Sequence, residues 1–405
     1  MKLFLGIALL STLITTTLVA EDLRQPRGRN WLALASSPDK NVAIGIARHV
    51  GWEEGSVRVV QAGNGYYAVV TGPYAATDIG QFKRSAEAKK FSVLPSDALL
   101  SDGTRYVETV WPQAGVQSVG FQNYSMSKPV EFSSGEFQVK ISAEKLGAEN
   151  AYTKIEGHDA EGSFHFDIGK DLPLAEQDTA EAMSSENYYR AAVVRLIPVV
   201  KATQLIVTQF TGGAHCCTVT YVIGREQNAE AWSMIKLDPR DGVGFSYDDV
   251  DGDGAKEFVG VDNAFLYTFD CYACSYAPVQ IYKWREGKID DVSLELGSHA
   301  RLVQDLAGME WDAKLQPDLL KSNGYLAGWV ASKIRLGQGD EAWRVFMQNY
   351  DRQNTFGPQI CTTGQKVDDC PDGKLQPVPL PKALAQFLRD NGYTPLPKEA
   401  EKELN

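Results

Sequence analysis

The sequence feature that most constrains the fold is the acidic segment Asp249–Glu257, which reads Asp-Val-Asp-Gly-Asp-Gly-Ala-Lys-Glu. Its carboxylates fall at positions 1, 3, 5 and 9, and a glycine follows the second and the third aspartate. Carboxylates this close together repel one another unless a cation neutralises them. Calcium takes six to eight oxygen ligands, and a short loop supplies them only by folding back on itself. Glycines permit the positive φ that such a loop needs, so the segment predicts a calcium-binding loop.

Five residues of the loop are candidate ligands. Four would offer side-chain carboxylates and one its backbone carbonyl, in that order: Asp249, Asp251, Asp253, Glu257 and Ala255. An EF-hand is excluded, because the glutamate that it needs at position 12 is replaced by Gly260. The next residues, Phe258 to Val261, are also typical of a strand rather than a helix.

These features resemble the calcium loop of FG-GAP/VCBS repeats, which joins two strands. The resemblance covers Gly244 to Phe265 and implies Ca²⁺ as a bound cofactor. The alternative is an acidic, glycine-rich turn that holds no ion. Only one such loop occurs, and there is no repeat with the period of propeller blades. We therefore expect a sandwich-like antiparallel β domain over 136–300, in an exported bacterial protein with a single unit of this kind.

The N-terminal residues 1–20 predict a secretory signal. Lys2 is their only charge, an apolar run spans Leu3 to Leu10, and Leu18-Val19-Ala20 is a cleavage site. No later segment reaches the ~20 apolar residues of a membrane span, so the mature chain is expected to be periplasmic or secreted, without a transmembrane segment. The net charge of −12 argues against a nucleic-acid partner.

Six cysteines follow the signal, and in an oxidising compartment an even number indicates disulfides. Cys361 and Cys370 are predicted to pair locally. The other four are expected to bridge across the acidic loop, with an open connectivity: Cys216, Cys217, Cys271 and Cys274. One alternative is a zinc site of these cysteines with His215, although adjacent cysteines suit tetrahedral coordination poorly. Another is catalysis by a cysteine with His215 as its base, but neighbours in sequence rarely have that geometry.

Residues 31–112 predict a ferredoxin-like βαββαβ domain. A strand begins at Trp31, and Ser37-Pro38-Asp39 starts a helix. Two strands then flank the tight turn Gly63-Asn64-Gly65, a second helix is expected over Ala76 to Phe91, and a β-like segment ends before Pro112.

This domain resembles the SPOR domain, a peptidoglycan-binding module of bacterial envelope proteins. The resemblance lies in Trp31, the small residues Ala43 and Ala47 of the first helix, and the stretch Tyr66 to Tyr74, which contains Thr-Gly-Pro-Tyr. It implies peptidoglycan as a partner and an aromatic and polar sheet face. Our candidates for that face are Trp31, Arg58, Tyr66 and Tyr74. The alternative is a domain of the same fold that binds nothing.

The C-terminal third has helical patterns. An apolar stripe follows Ser322-Asn323, and a second helix begins after Asp340, so the two predict an antiparallel helix hairpin. The whole chain is thus expected to be α+β. Its predicted segments are a signal at 1–20, a flexible lead at 21–30, the SPOR-like domain at 31–112, a linker at 113–135, the β domain at 136–300, helices at 301–396 and a tail at 397–405.

No catalytic signature is present: we find no Gly-x-Ser-x-Gly, His-Glu-x-x-His, phosphate-binding glycine loop or Rossmann fingerprint. The sequence therefore favours a non-enzymatic cell-envelope binding protein, with peptidoglycan and an unknown envelope protein as partners. One alternative is a cell-wall hydrolase with paired carboxylates between the β domain and the helices. Another is a secreted adhesion or toxin-neutralising protein that uses the N-terminal domain only as a scaffold.

Overall fold

The computed structural model describes residues 22–54, 57–91, 93–111, 120–173, 176–184, 188–198, 204–225 and 231–404. The predicted signal at 1–20 lies outside these ranges. The chain is α+β, with several antiparallel sheets and a few C-terminal helices. It divides into two compact units, one drawn from Met1–Ala43 and Val50–Ala114, the other from Ile44–His49 and Gly115–Asn405.

The first unit is built on a five-stranded sheet. In chain order the elements of residues 30–111 are β1 (Asn30–Ser37), α1 (Lys40–Glu54), β2 (Arg58–Ala62), β3 (Tyr67–Tyr74), α2 (Ile79–Lys83), β4 (Leu99–Ser101) and β5 (Tyr106–Trp111), and the middle of α1, Ile44–His49, is counted with the second unit. The strand order is β4–β1–β3–β2–β5, and every neighbouring pair is antiparallel.

Helix α2 is much shorter than the helix predicted over Ala76 to Phe91. The helix ends at Lys83, and a separate 3₁₀ turn follows at Glu87–Lys90. Phe82 is the one buried side chain among the described residues of α2. A longer helix would need a continuous apolar stripe to hold it on the sheet, and this segment lacks one.

The lead predicted to be flexible packs on the sheet instead. Leu23 is buried in an apolar cluster with Trp31, Val60 and Val70. The indole Nε1 of Trp31 also donates a hydrogen bond to the carbonyl of Leu23 at 2.9 Å. An apolar residue within a polar segment was the signal for this contact, and the lead is ordered because Leu23 is buried.

Among the described residues of the second unit, fourteen strands precede the α-helices. They are β6 (Gln122–Asn123), β7 (Val130–Ser134), β8 (Phe137–Leu146), β9 (Asn150–Asp159), β10 (Gly162–Ile168), β11 (Asp178–Thr179), β12 (Tyr189–Val194), β13 (Gln204–Phe210), β14 (Thr218–Gly224), β15 (Ser233–Lys236), β16 (Ser246–Asp248), β17 (Glu257–Val261), β18 (Val279–Arg285) and β19 (Lys288–Asp291). Strands β6 and β7 lie in the segment predicted as a linker.

These strands form three antiparallel sheets, where a two-layer sandwich was expected. In this unit, the first sheet is β10–β9–β8–β7 with β11 on β9, the middle sheet is β15–β14–β13–β12–β6, and the third sheet is β16–β17–β18–β19. Leu205 and Val207 of β13 belong to the core shared with the first sheet, whereas Ile206 belongs to the core shared with the third. The middle sheet is therefore buried on both faces, which explains the continuous apolar run of β13.

Five helices and a short hairpin complete the unit: α3 (His299–Leu315), α4 (Asn323–Arg335), α5 (Gly339–Asn349), β20 (Gln359–Cys361), β21 (Leu375–Pro377), α6 (Leu380–Asp390) and α7 (Lys398–Glu403). Helices α4 and α5 are the predicted hairpin, and Ser322 Oγ caps α4 by accepting from the Tyr325 amide. Helix α3 lies in the region predicted to be helical but was not assigned individually, although Leu302, Leu306 and Met309 have helical spacing. The predicted tail forms α7, which Ala400 anchors in the core.

Within the described ranges, no helix is long and apolar enough to cross a membrane.

Candidate cation-binding site

The acidic segment is the hairpin connection of the third sheet. Strand β16 ends at Asp248 and β17 begins at Glu257, and these two residues face each other in the antiparallel register. Gly252 and Gly254 have φ of 80° and 87°. Positive φ is accessible to glycine at little cost, so both glycines serve the turn as the sequence predicted.

The aspartates shape the loop by accepting hydrogen bonds from its own backbone. Asp251 Oδ1 accepts from the amide of Asp253 at 3.2 Å, and Asp253 Oδ1 accepts from the amide of Ala255 at 2.8 Å. Asp249 Oδ2 accepts from the amide of Gly254 at 3.1 Å. Each aspartate uses one oxygen in this way, which leaves its second oxygen for another partner.

The partner of two of these free oxygens is a lysine from a neighbouring strand. Lys283 Nζ on β18 lies 2.5 Å from Asp251 Oδ2 and 2.6 Å from Asp253 Oδ2. It also lies 3.1 Å from Glu257 Oε1. Lys283 is 8 % exposed and Glu257 1 % exposed, so this contact is buried. An ammonium group is therefore placed among three residues that the sequence predicted as calcium ligands.

Burial and ion pairing act in opposite directions on the charged groups. Burial alone would lower the pKa of Lys283, but its contacts with Asp251, Asp253 and Glu257 outweigh this and raise it above its usual range. Burial would raise the pKa of Asp253, yet the hydrogen bond from Lys283 leaves it lowered. For Glu257 burial dominates, and its pKa is raised.

The donor set also fits a calcium ion. Asp249 Oδ1 is buried and accepts no hydrogen bond from the described part of the chain. Carboxylate oxygens of Asp249, Asp251 and Glu257 lie within 4.8 Å of one another. Calcium–oxygen bonds of about 2.3–2.6 Å place the ligands of one ion at this mutual distance. Four carboxylates against one ammonium leave an excess of negative charge, which favours a divalent cation. Ala255, the fifth predicted ligand, is fully buried.

A close contact supports the loop from the segment before α3. A Cβ atom added to Gly297 would lie 2.7 Å from Asp251 Cβ, closer than two carbon atoms pack. The loop is thus bounded by β18 on one side and by residues near Gly297 on another, and its shape depends on both.

Lys283 is the functional residue that sequence reasoning missed. It alternates with Val279 and Ile281 along β18, and both of these are buried in the cluster next to α3. A lysine in register with apolar residues on the buried face of a strand indicates a buried acidic partner. The pattern was present in the sequence, but it did not identify which acidic group would be the partner.

The six cysteines pair locally, and the expected bridge across the acidic loop is wrong. Cys216 pairs with Cys217, Cys271 with Cys274, and Cys361 with Cys370. The 3₁₀ turn Tyr272–Cys274 brings the Cα atoms of Cys271 and Cys274 to 5.0 Å, which suits a disulfide. These pairs occupy the sulfur atoms that the zinc alternative requires.

A second polar cluster lies beside the first two disulfides and is formed by His215, Asp241 and Tyr272. His215 Nδ1 lies 3.0 Å from Asp241 Oδ1, Tyr272 donates to Asp241 Oδ2, and the His215 and Tyr272 rings stack at 3.9 Å. Burial, followed by the hydrogen bond to Asp241, raises the pKa of Tyr272 to about 12. His215 thus lies next to the Cys216–Cys217 pair, with Asp241 and Tyr272 as its polar and aromatic neighbours.

The four glycan candidates do not share one exposed face. Trp31 is 4 % exposed and packs in the core, which corrects its assignment to a binding surface. The Arg58 guanidinium lies 5.6 Å from the centre of the Trp31 ring. The Tyr74 hydroxyl forms a hydrogen bond with Thr71 Oγ1, and the Tyr74 ring packs on the Phe82 ring with the two ring centres 4.9 Å apart. Tyr66 is 44 % exposed and is the most accessible of the four aromatic and basic candidates.

Comparison with known proteins finds relatives without an assigned activity. Residues 301–392 match the family model described as the sll0997 C-terminal domain. The chain is 32 % identical over 383 residues to the "Uncharacterized protein y4bJ" of Sinorhizobium fredii (strain NBRC 101917 / NGR234), covering 93 % of this chain and 58 % of that protein. It is 35 % identical over 196 residues to the "Probable thylakoid lumen protein sll0997" of Synechocystis sp. (strain ATCC 27184 / PCC 6803 / Kazusa), covering 47 % of this chain and 57 % of that protein. No solved structure matches the chain.

The alignments thus span less than three fifths of either relative. The family match begins within α3 and ends just after α6, so it covers neither the acidic loop nor the N-terminal sheet. What these regions do has to be inferred from their own chemistry.

Proposed function

We propose that the chain is an extracytoplasmic, non-enzymatic binding protein in which calcium orders the acidic loop of the third sheet. The observation that carries the proposal is Asp249 Oδ1, a buried oxygen that accepts no hydrogen bond from the described residues and belongs to a group of three carboxylates, with Asp251 and Glu257, whose oxygens lie within 4.8 Å of one another. Buried acceptors normally have a donor, and a cation satisfies them equally well.

The ion would be held by the four loop carboxylates and the carbonyl of Ala255. It would supply the positive charge that cancels their mutual repulsion. Because β17 pairs with both β16 and β18, a fixed loop also fixes the edge of the third sheet. Calcium in this site is structural, and it stabilises a surface for an unknown envelope protein.

The compartment is proposed from two sources. Residues 1–20 have the pattern of a secretory signal. One relative bears the name of a probable thylakoid lumen protein, and the lumen is an extracytoplasmic space. Both support a periplasmic or secreted protein, where millimolar calcium and disulfides are compatible.

Peptidoglycan is the proposed partner of the N-terminal unit. The strand order β4–β1–β3–β2, with the element order βαββαβ, supports a ferredoxin-like plan of the kind that SPOR domains use. Tyr66 is exposed beside the β2–β3 turn and is the leading candidate for contact with a sugar ring.

Thermal unfolding of the mature protein in chelator and in millimolar CaCl₂ tests the calcium site. A ligand at one hundred times its Kd stabilises the native state by about 2.7 kcal/mol, so we expect a higher Tm in calcium. Asp249→Asn is the matched variant, because an amide oxygen still accepts from Gly254 while the charge at the free oxygen is lost. It should reduce the calcium effect and leave the Tm in chelator nearly unchanged. A Tm of the wild-type protein that is identical in both buffers contradicts the proposal.

Sedimentation with cell-wall sacculi tests the peptidoglycan partner. We expect the wild-type protein to pellet and Tyr66→Ala to pellet less. Tyr267→Ala is the control, because Tyr267 is similarly exposed, at 53 %, but belongs to the other unit. Equal pelleting of both variants and the wild type would show that Tyr66 takes no part, and no pelleting at all would contradict peptidoglycan binding. Clearing of sacculi in a zymogram would instead indicate a hydrolase.

A further inference from the structure

Lys283 lies at the position that a cation in the acidic loop would take. Its ammonium contacts Asp251 and Asp253 at 2.5 and 2.6 Å and lies 3.1 Å from Glu257. All three contacts are made to carboxylate oxygens that a calcium ion would need. Two of those oxygens, Asp251 Oδ2 and Asp253 Oδ2, are the ones that the internal turns of the loop leave free.

The two cations exclude each other. Both would have to lie within about 3 Å of the same oxygens, so their positive charges would be only a few ångströms apart in a buried site. The lysine must therefore leave the carboxylates before calcium can bind to them.

We propose that Lys283 is the resident cation of the acidic loop in the calcium-free protein, and that calcium binds by displacing it. This inference rests on the calcium site proposed above and adds how that site is regulated. It also explains how a loop with four carboxylates stays folded when no metal is bound.

The strand next to β18 offers the displaced ammonium a second partner. Lys283 faces Asp290 of β19 in the antiparallel register. Residues in this relation point to the same face of the sheet with Cβ atoms about 4.5–5.5 Å apart, and the lysine stem is long and flexible. Asp290 Oδ1 lies 3.5 Å from Lys288 Nζ and its side chain is 35 % exposed, so it remains accessible to a second cation. Calcium binding thus moves the ammonium from the loop to the β18–β19 pair.

Competition of this kind raises the apparent Kd for calcium. The apparent Kd equals the intrinsic Kd divided by the fraction of molecules in which the lysine has left the loop. Removing the ammonium should therefore increase the affinity. Calorimetric titration of CaCl₂ into the full mature chain is the test, with Lys283→Met as the variant. Lys256→Met is the control, since it removes the same charge from the residue next to Glu257, whereas the ammonium that contacts the loop carboxylates is that of Lys283.

We expect Lys283→Met to bind calcium at least tenfold more tightly than the wild type, and Lys256→Met to change the Kd by less than threefold. In chelator, Lys283→Met should have a lower Tm than the wild type, and calcium should restore it. Equal affinities of the two variants would overturn the exchange while leaving the calcium site intact. No calcium binding by any of the three proteins would contradict the calcium site itself.

Chemical labelling of the wild-type protein keeps the test valid if Lys283→Met does not fold. The chain is treated with an amine-acylating reagent with and without CaCl₂, and each lysine is quantified by mass spectrometry. We expect Lys283 to be protected in chelator and to react several-fold faster in calcium, while Lys256 reacts equally in both. Unchanged protection of Lys283 in saturating calcium would overturn the exchange.

Discussion

The acidic loop and the His215–Asp241–Tyr272 cluster both join a carboxylate to a partner about thirty residues away in the chain, but they differ in burial. In the chain, Lys283 is 30 residues from Asp253 and 32 residues from Asp251, and it is 8 % exposed. Asp241 is 31 residues from Tyr272, and the side chain of His215 is 33 % exposed. Water can replace a lost partner of His215, but it cannot reach the contact between Lys283 and Glu257 in the same way.

This difference predicts which cluster is needed for folding. A buried charge that loses its partner keeps its desolvation cost, whereas a half-exposed group is rehydrated. Removal of one member should therefore destabilise the acidic loop more than the histidine cluster.

The largest effect is expected from Glu257→Ala. It removes a carboxylate that accepts from the Val250 amide at 2.8 Å and lies beside Lys283. Breaking a buried pair in this way should lower the free energy of unfolding by about 3–5 kcal/mol, measured by urea denaturation in chelator. Glu257→Gln keeps the shape and an acceptor for Val250, and we expect it to cost clearly less. Equal losses in both variants would mean that the charge of Glu257 is unimportant.

A smaller loss is expected from Gly297→Ala, which changes the packing of the loop rather than its charge. The new methyl group would lie 2.7 Å from Asp251 Cβ, so the loop must shift. Such overpacking should cost about 1–3 kcal/mol, and it should also weaken calcium binding. The control is Gly120→Ala, because an added Cβ there has no atom within 4 Å. A thermal unfolding curve that matches the wild type would show that the loop does not depend on this contact.

In the histidine cluster, Asp241→Asn should cost only about 1 kcal/mol, because the amide still accepts one hydrogen bond. The sharper readout is Tyr272, whose pKa is raised to about 12 by burial and by the carboxylate of Asp241. Without that negative charge the phenolate is less disfavoured, so the pKa should fall towards 10. Ultraviolet titration, with Tyr272→Phe subtracted as the control, measures this shift. An unchanged titration would show that burial alone sets the pKa.

The smallest effect is expected at the surface pair of Arg285 and Glu295, which is exposed although Arg285 lies only two residues after Lys283 in β18. Its two contacts measure 2.6 and 2.7 Å, yet the side chains are 40 % and 48 % exposed. Glu295→Gln should lower the free energy of unfolding by less than about 1 kcal/mol in low salt. The loss should shrink further in 0.5 M NaCl, because salt screens exposed charges, and a loss that is independent of salt would argue against an ionic contribution.

Local patterns predicted the elements whose partners are close in sequence. The hairpin of β16 and β17 follows from the Asp and Gly spacing of its loop, and the disulfide of Cys361 with Cys370 agrees with their short separation. The helix pair α4 and α5 follows from apolar spacing and the cap at Ser322. In each case one segment of about ten to thirty residues contains all the determinants.

Contacts that the sequence patterns did not specify explain the predictions that were wrong. Trp31 has an aromatic side chain of the kind expected on a glycan-binding face, but Leu23 packs against it. Cys271 was expected to reach the Cys216–Cys217 pair, but a 3₁₀ turn brings it to Cys274 first. The third sheet was missed because periodicity along a strand reports how many of its faces are apolar, and it does not identify the element that covers each face.

The sequence by itself determined that this chain would place four carboxylates in one short glycine-rich turn between two strands, because spacing and backbone freedom are local properties. Only the tertiary structure decided what neutralises them. Lys283 meets the loop through the pairing of β17 with β18 and through the burial of one face of β18 next to α3. That contact arises from the packing of separate segments, and no pattern within the loop encodes it.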